Sequence, residues 1–175
     1  MLRCCAFIAA VILAGFTTFQ ACADRRVAFV IGNSEYQEIP ALKNPDKDAE
    51  DVSKTFRLAG FEVFVAKDLT KLQFEEQFRN YLSAADGADL SVVYYSGHGF
   101  QIGGENFLIP VDASLKNAAD IEVQAIKLND VLQQLRAKSK IQVIILDACR
   151  NNPFPRKDYW LRDQLITAGN TGLAQ

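Results

Sequence analysis

Histidine occurs once in this 175-residue chain, as His98. Cysteine is almost as scarce past the N-terminus. Of the four cysteines, Cys4, Cys5 and Cys22 stand near the start, and Cys149 is alone in everything after them. A lone thiol excludes an internal disulfide over residues 24–175. It leaves Cys149 as either a buried apolar filler or a reactive group. One histidine with one cysteine all but excludes a protein-built zinc site of the usual N/S type. The chain has no basic cluster and a formal net charge of −2, so nucleic-acid binding is a poor fit. No apolar run is long enough to span a bilayer comfortably. Internal repeats and long low-complexity segments are absent too.

What is there begins with residues 1–23, which have the form of a secretory signal. Arg3 supplies the positive start, Ala6 to Phe16 the apolar run, and Ala21-Cys22-Ala23 a small-residue cleavage site. An exported protein, periplasmic or secreted, is expected. A membrane association would require the signal to stay uncleaved or Cys22 to be lipidated, and Phe19-Gln20-Ala21 is a poor approach sequence for lipidation. The segment holds one cation and no acid, so its removal makes the net charge one unit more negative. The remainder, residues 24–175, is of single-domain size.

Two apolar runs organise that remainder. Leu90-Ser91-Val92-Val93-Tyr94-Tyr95-Ser96 runs into Gly97-His98-Gly99, and Ile141 to Leu146 runs into Asp147-Ala148-Cys149. Arg26 to Ile31 is a further buried strand, followed by a loop over Ser34 to Asn44 that holds Tyr36 and Pro40. A helix is expected from about Pro45 to Ala59. Asn44 is its cap, acids fill its first turn, and Gly60 is its stop. Phe61 to Ala66 reads as a strand. Thr70 caps a second helix whose inner face carries Phe74, Phe78, Tyr81 and Leu82. A hairpin follows the histidine strand, with Gly103-Gly104 at its turn. Residues 111–125 read as irregular and acidic. A third helix is marked by Leu128, Val131, Leu132 and Leu135, and the chain after Asn151 reads as turn-forming, then polar.

Strands alternating with helices predict an α/β fold, a three-layer α-β-α sandwich around a mainly parallel sheet. Ligands in such sheets sit beyond the carboxyl ends of the strands. His98 and Cys149 each follow such an end, so neighbouring strands would bring them to one edge. A thiol needs help to ionise, and an imidazole can take its proton and return it to a leaving amine. The glycines flanking His98 would allow unusual backbone angles and a close substrate approach. The backbone N–H groups of Gly99 and Cys149 are candidates for an oxyanion hole. No third side chain completes a triad, and a backbone carbonyl could orient the ring. Each residue also has a plainer reading: a core histidine, a core cysteine, Asp147 starting a turn, Asp48 favouring a helix N-terminus.

Tyr94-Tyr95-Ser96-Gly97-His98-Gly99 and Leu146-Asp147-Ala148-Cys149-Arg150 resemble the His and Cys motifs of the caspase-like cysteine peptidases (clan CD). Val30 to Tyr36 resembles that family's first strand and loop, and Leu42 to Ala49 the start of its first helix. The likeness runs from about residue 26 to 155 and is greater to paracaspases and their bacterial relatives, the orthocaspases, than to animal caspases. It implies His98 as catalytic histidine, Cys149 as nucleophile, and Asp48 and Asp147 as acidic residues of the S1 pocket. The implied activity is a cysteine endopeptidase cutting peptides or proteins after Arg, less so Lys, because Arg offers carboxylates a planar fork. The basic pocket residues that animal caspases need to cleave after Asp are not found at these positions. No metal and no cofactor is implied. Calcium dependence occurs in metacaspases, but Asp86 and Asp89 do not suffice for a site.

On this reading residues 24–155 are the catalytic domain and 156–175 a tail after the nucleophile. The family normally continues with further strands, so the fold is expected to lack its C-terminal strands. Such a domain would expose a sheet edge, and a homodimer or a missing C-terminal partner segment would cover it. A non-catalytic binding or assembly module is the alternative from another class. A Cys-dependent acyltransferase or amidase would share the dyad.

Overall fold

In a computed structural model the protein is described over residues 24–102, 104–116 and 118–149, and in the backbone of two short strands at 159–161 and 164–166. The central element is β3 (Ala88–Ile102). Along one edge it pairs in parallel with β1 (Arg26–Gly32), from Arg26↔Leu90 to Gly32↔Ser96. Along the other it pairs in parallel with β6 (Ser139–Cys149), from Ala88↔Ser139 to His98↔Cys149. Parallel β2 (Glu62–Lys67) flanks β1. Past His98, β3 pairs antiparallel with β4 (Glu105–Leu108), and β4 with β5 (Ile126–Lys127). Gly104, at φ +84, makes the hairpin turn.

Alternation along the strands sorts their side chains onto two faces. Val27, Phe29, Ile31, Val93 and Tyr95 pack against Phe74, Phe78 and Tyr81 of α2 (Lys71–Ala85) and against Val131 and Leu135 of α4 (Leu128–Arg136). Ala28, Val30, Val92 and Tyr94 pack instead against Ala49, Val52 and Phe56 of α1 (Pro45–Leu58). The result is three layers, helix on sheet on helix, as the strand–helix alternation predicts. Thr70 caps α2 through a reciprocal box. Its hydroxyl accepts the Gln73 N–H, and the Gln73 side chain accepts the Thr70 N–H at 3.0 Å.

Several expectations are corrected. Asn44 occupies the N-cap position of α1, but its side chain makes no capping hydrogen bond. Residues 111–125 contain a short helix, α3 (Ala118–Gln124), rather than irregular chain alone. Its Ile121, and Ala125 just after the helix, join a small second core under the hairpin, with Phe100 and Phe107. That core is what stabilises a segment whose local pattern is weak. The polar tail holds two short strands, β7 (Tyr159–Leu161) and β8 (Gln164–Ile166), which pair antiparallel. The expected signal, residues 1–23, and the segment 150–158 lie outside the described residues. No helix among the described residues is long and apolar enough to cross a membrane.

Two features bear on the site. Gly32 ends β1 directly beneath the first turn of α1. A Cβ there would stand 2.4 Å from the Pro45 carbonyl oxygen and 2.9 Å from Ala49 Cβ. Backbone cannot yield as a side chain can, so Gly32→Ala is expected to push α1 off the sheet. The cost should be about 1–3 kcal/mol, read as a lower denaturant midpoint at unchanged slope. The second feature is β6, which among the described residues pairs only with β3. Its residues on the α1 face, Ile141, Val143 and Ile145, are 59%, 39% and 39% exposed. An apolar cleft of about 390 Å³ lies there, lined in part by Val52, Phe56, Tyr94 and Ile145.

Candidate active site

The site forms where β3 leaves one sheet partner and takes another. His98 was expected just past a strand end, but it lies inside β3, a strand that continues to Ile102. It is the last residue of the parallel ladder with β6, and the next residue, Gly99, begins the antiparallel ladder opposite Leu108. Its partner in that last register pair is Cys149. The two backbones are therefore strand neighbours, roughly 5 Å apart in such a sheet.

β1 stops at Gly32, opposite Ser96. Two residues further along β3, the His98 N–H faces the side that β1 has vacated. A side chain replaces the missing strand: Tyr36 Oη accepts the His98 N–H at 2.7 Å. The carbonyl of His98 accepts from the Ile109 N–H at 3.1 Å and from Tyr95 Oη at 2.8 Å. Both backbone groups of the histidine are thus held.

The ring is held as well. His98 is only 4% exposed, and its imidazole packs on the Tyr36 ring at a centroid distance of 4.6 Å. His98 Nε2 lies 2.8 Å from the carbonyl oxygen of Pro40. A carbonyl only accepts, so Nε2 carries the proton and Nδ1 keeps the lone pair. Nδ1 is buried and has no hydrogen-bond partner among the described residues. Burial pushes the His98 pKa below the ordinary imidazole value, and the bond to Pro40 opposes that shift. The group therefore resists charging in the folded state.

A stability consequence follows with a definite sign. A histidine whose folded pKa is depressed contributes stability above its unfolded pKa, about 6.5, and loses it as pH falls through the lower folded value. Thermal unfolding of the wild type and of His98→Asn should therefore differ at neutral pH, and the difference should shift against the wild type as the imidazole charges. A difference independent of pH across that range would contradict the assignment.

The loop that carries Tyr36 and Pro40 is fixed by polar residues around it. Asn33 donates its N–H to the Ser96 carbonyl at 2.9 Å, its side-chain amide donates to the Ile109 carbonyl at 3.2 Å, and its side-chain oxygen accepts the Leu69 N–H at 3.0 Å. Asp68 Oδ1 accepts the N–H groups of Ser34 and Glu35 at 2.7 and 2.8 Å. Asp68 does so at φ 49, the one non-glycine residue with positive φ among those described. Local strain of that kind persists where surrounding structure enforces it.

The unusual backbone angles expected at the flanking glycines are not found. Neither Gly97 nor Gly99 has a positive φ. Gly97 is needed for space: a Cβ would meet Tyr95 Oη at 2.6 Å and Tyr36 Oη at 2.7 Å. Gly99 keeps a role in the register. Because His98 O takes the Ile109 N–H, the Gly99 N–H points to the opposite edge of β3, where β6 lies.

The two acidic candidates meet around Tyr94. Its hydroxyl donates to Asp147 Oδ2 at 3.1 Å. The Tyr94 phenol is raised above its usual range first by burial, then by the bond to Asp147 and by the charges of Asp147 and Asp48. Asp48, in the first turn of α1, and Asp147, near the end of β6, thus act on one buried hydroxyl. Among the described residues no group of three His, Cys, Asp or Glu is placed to hold a metal ion. Tyr36, Pro40, Asn33, Asp68 and Tyr94 had no assigned part in the sequence reading. A backbone carbonyl leaves no trace in sequence, and loop aromatics have no periodicity to betray a role.

A model of the caspase domain matches residues 25–170. The human mucosa-associated lymphoid tissue lymphoma translocation protein 1 is 31% identical over 144 residues, which is 82% of this chain and 17% of that protein. Caspase-1 of Sus scrofa is 24% identical over 156 residues, 85% of this chain and 36% of its own. The crystal structure of the Drosophila initiator caspase Dronc is similar with a TM-score of 0.56 at 15% identity, covering 76% of this chain and 52% of that one. The chain thus spans only a part of each of these relatives. The match extends over most of its own length, and its parallel sheet and helical layers are those of the Dronc fold: the chain belongs to the caspase family of peptidases.

Proposed function

We propose that the protein is a cysteine endopeptidase that cuts after Arg, and less readily after Lys, with His98 and Cys149 as its dyad. The observation that carries this is the last register pair of the parallel ladder, His98↔Cys149, beside an imidazole whose Nδ1 has no hydrogen-bond partner among the described residues and whose Nε2–H is committed to Pro40. Nδ1 takes the thiol proton as sulfur attacks the scissile carbonyl carbon. The N–H groups of Gly99 and Cys149 receive the oxyanion. Collapse breaks the C–N bond, and His98 returns the proton to the leaving amine. Water, deprotonated by Nδ1, then hydrolyses the thioester.

Asp48 and Asp147 are the S1 carboxylates on this reading, and Tyr94 steadies Asp147. An Arg side chain entering between them would be met by two acceptors suited to its planar fork. Export by the N-terminal signal remains part of the proposal. The test is hydrolysis of matched peptide amides ending in Arg, Lys and Asp by the chain without its signal. Arg should be fastest, Lys slower and Asp undetectable. A preference for Asp would overturn the assignment of the pocket.

A second reading, a binding or assembly module of the same fold, draws on the exposed Ile141, Val143 and Ile145 of β6, which among the described residues has β3 as its one strand partner. It predicts no selective reaction at Cys149.

A further inference from the structure

We infer that Tyr36 and Tyr95 form a hydroxyl circuit that closes on His98 and positions its imidazole for the reaction, with Gly97 as the space in which the circuit is built. The inference rests on the reading of His98 as the base and adds to it the residues through which that base is aimed.

The circuit follows from donor and acceptor arithmetic. The His98 N–H donates to Tyr36 Oη at 2.7 Å. Tyr36 Oη stands 3.3 Å from Tyr95 Oη. Tyr95 Oη lies 2.8 Å from the His98 carbonyl oxygen and 3.0 Å from that of Ile109. Carbonyls only accept, so the Tyr95 proton is turned toward them, and the Tyr36 proton must serve the bond between the two hydroxyls. The chain of donation runs from the His98 amide through Tyr36 and Tyr95 back to the His98 carbonyl. Every hydroxyl in it both donates and accepts, the satisfied condition in which a buried polar network rigidifies its surroundings.

Both phenols are well enclosed, with Tyr36 8% and Tyr95 1% exposed. Burial, above all, lifts the Tyr36 pKa to about 12, so the hydroxyl remains a donor at any working pH. The ring of Tyr36 does a second task, packing on the imidazole at 4.6 Å. Its loop also carries Pro40, whose carbonyl receives Nε2–H. One loop residue thus secures the backbone of His98 and one side of its ring, while a neighbour selects the tautomer. Both hydroxyls act through the backbone of His98 and bond neither ring nitrogen of it, so both tyrosines are positioning residues.

The test uses the single histidine of the chain. Protein labelled with ¹⁵N-histidine reports the tautomer of His98 directly, with or without peptidase activity. The wild type should show Nε2–H alone. Tyr36→Phe, which keeps the ring and removes the hydroxyl, should give an exchanging mixture of tautomers. On an Arg-ended amide it should lower kcat about 10- to 100-fold with KM changed by no more than about 3-fold. Tyr95→Phe opens the circuit on the carbonyl side and should act in the same direction. Gly97→Ala, which places a Cβ against both hydroxyls, should do likewise, so that the inference stays testable if one variant does not fold. Retention of the Nε2–H tautomer and of kcat in folded Tyr36→Phe and Tyr95→Phe would overturn it, whatever their thermal stability. A tautomer change in a protein that hydrolyses no peptide would support the circuit and remove the peptidase reading. Peptide hydrolysis by the wild type, with both the tautomer and kcat unaltered in the variants, would do the reverse.

Discussion

Cys149→Ala is expected to lower kcat for a peptidyl-arginine amide by at least about 10⁴-fold, because it removes the atom that forms the covalent intermediate. His98→Asn should cost about as much. Without Nδ1 the thiol has no base, and its ordinary pKa, about 8.5, leaves little thiolate at neutral pH. The two residues act as one unit, so the double variant should be no slower than either single variant within error. That non-additivity separates a dyad from two independent contributions. Both variants should fold. Cys149 ends β6 without being needed for its ladder bonds, which are made by backbone, and the hydrogen bonds of residue 98 to the Tyr36 and Tyr95 hydroxyls are likewise made by its backbone, whatever its side chain. Residual activity is assayed best with the variant expressed away from other peptidases, since a trace of contaminant would mask a loss of this size.

The second large effect concerns the acidic pair. Asp48→Asn and Asp147→Asn should each reduce kcat/KM for an Arg-ended substrate by about 2 kcal/mol, roughly 30-fold, at the low end for a charge partner lost from a complex. The low end applies because Asp147 is exposed in the free protein and Asp48 only half-buried. Cleavage of a substrate with a neutral residue before the scissile bond should change little, which distinguishes a specificity role from a folding defect. Tyr94 links the two effects, since its hydroxyl holds Asp147 at 3.1 Å. Because the carboxylates share that hydroxyl's surroundings, the double variant should depart from simple addition. Equal losses on Arg and neutral substrates would remove Asp48 and Asp147 from the pocket.

Much of the architecture was legible before the structure. Near-continuous apolar strands such as Val27 to Ile31 and Ser91 to Tyr95 can only be buried on both faces, and that demands helices above and below. Thr70 marks a helix start whatever the tertiary context. Boundaries set by tertiary contact were not legible. β3 outruns its apolar pattern because β4 and β6 both pair with its far end, and α3 is held by a small core that forms only when the hairpin folds over it. At the site, His98 and Cys149 stood out because each was alone of its kind after the N-terminal segment. Tyr36 and Pro40 did not, since their contributions are a hydroxyl and a carbonyl delivered across 62 and 58 residues of chain. Gly97 was visible as a glycine but misjudged. It provides room for two hydroxyls, not an unusual backbone angle.

The central claim is that Cys149 is a thiol activated by His98 in a pocket built for Arg. It is tested most directly by exposing the chain to a peptidyl-arginine chloromethylketone and mapping the adduct by mass spectrometry. The thiolate displaces chloride and becomes a thioether that retains the peptide. The account predicts one adduct, on Cys149, formed much faster than with the matching Asp reagent and suppressed in His98→Asn. No adduct on Cys149, or equal labelling by the Arg and Asp reagents, would contradict it.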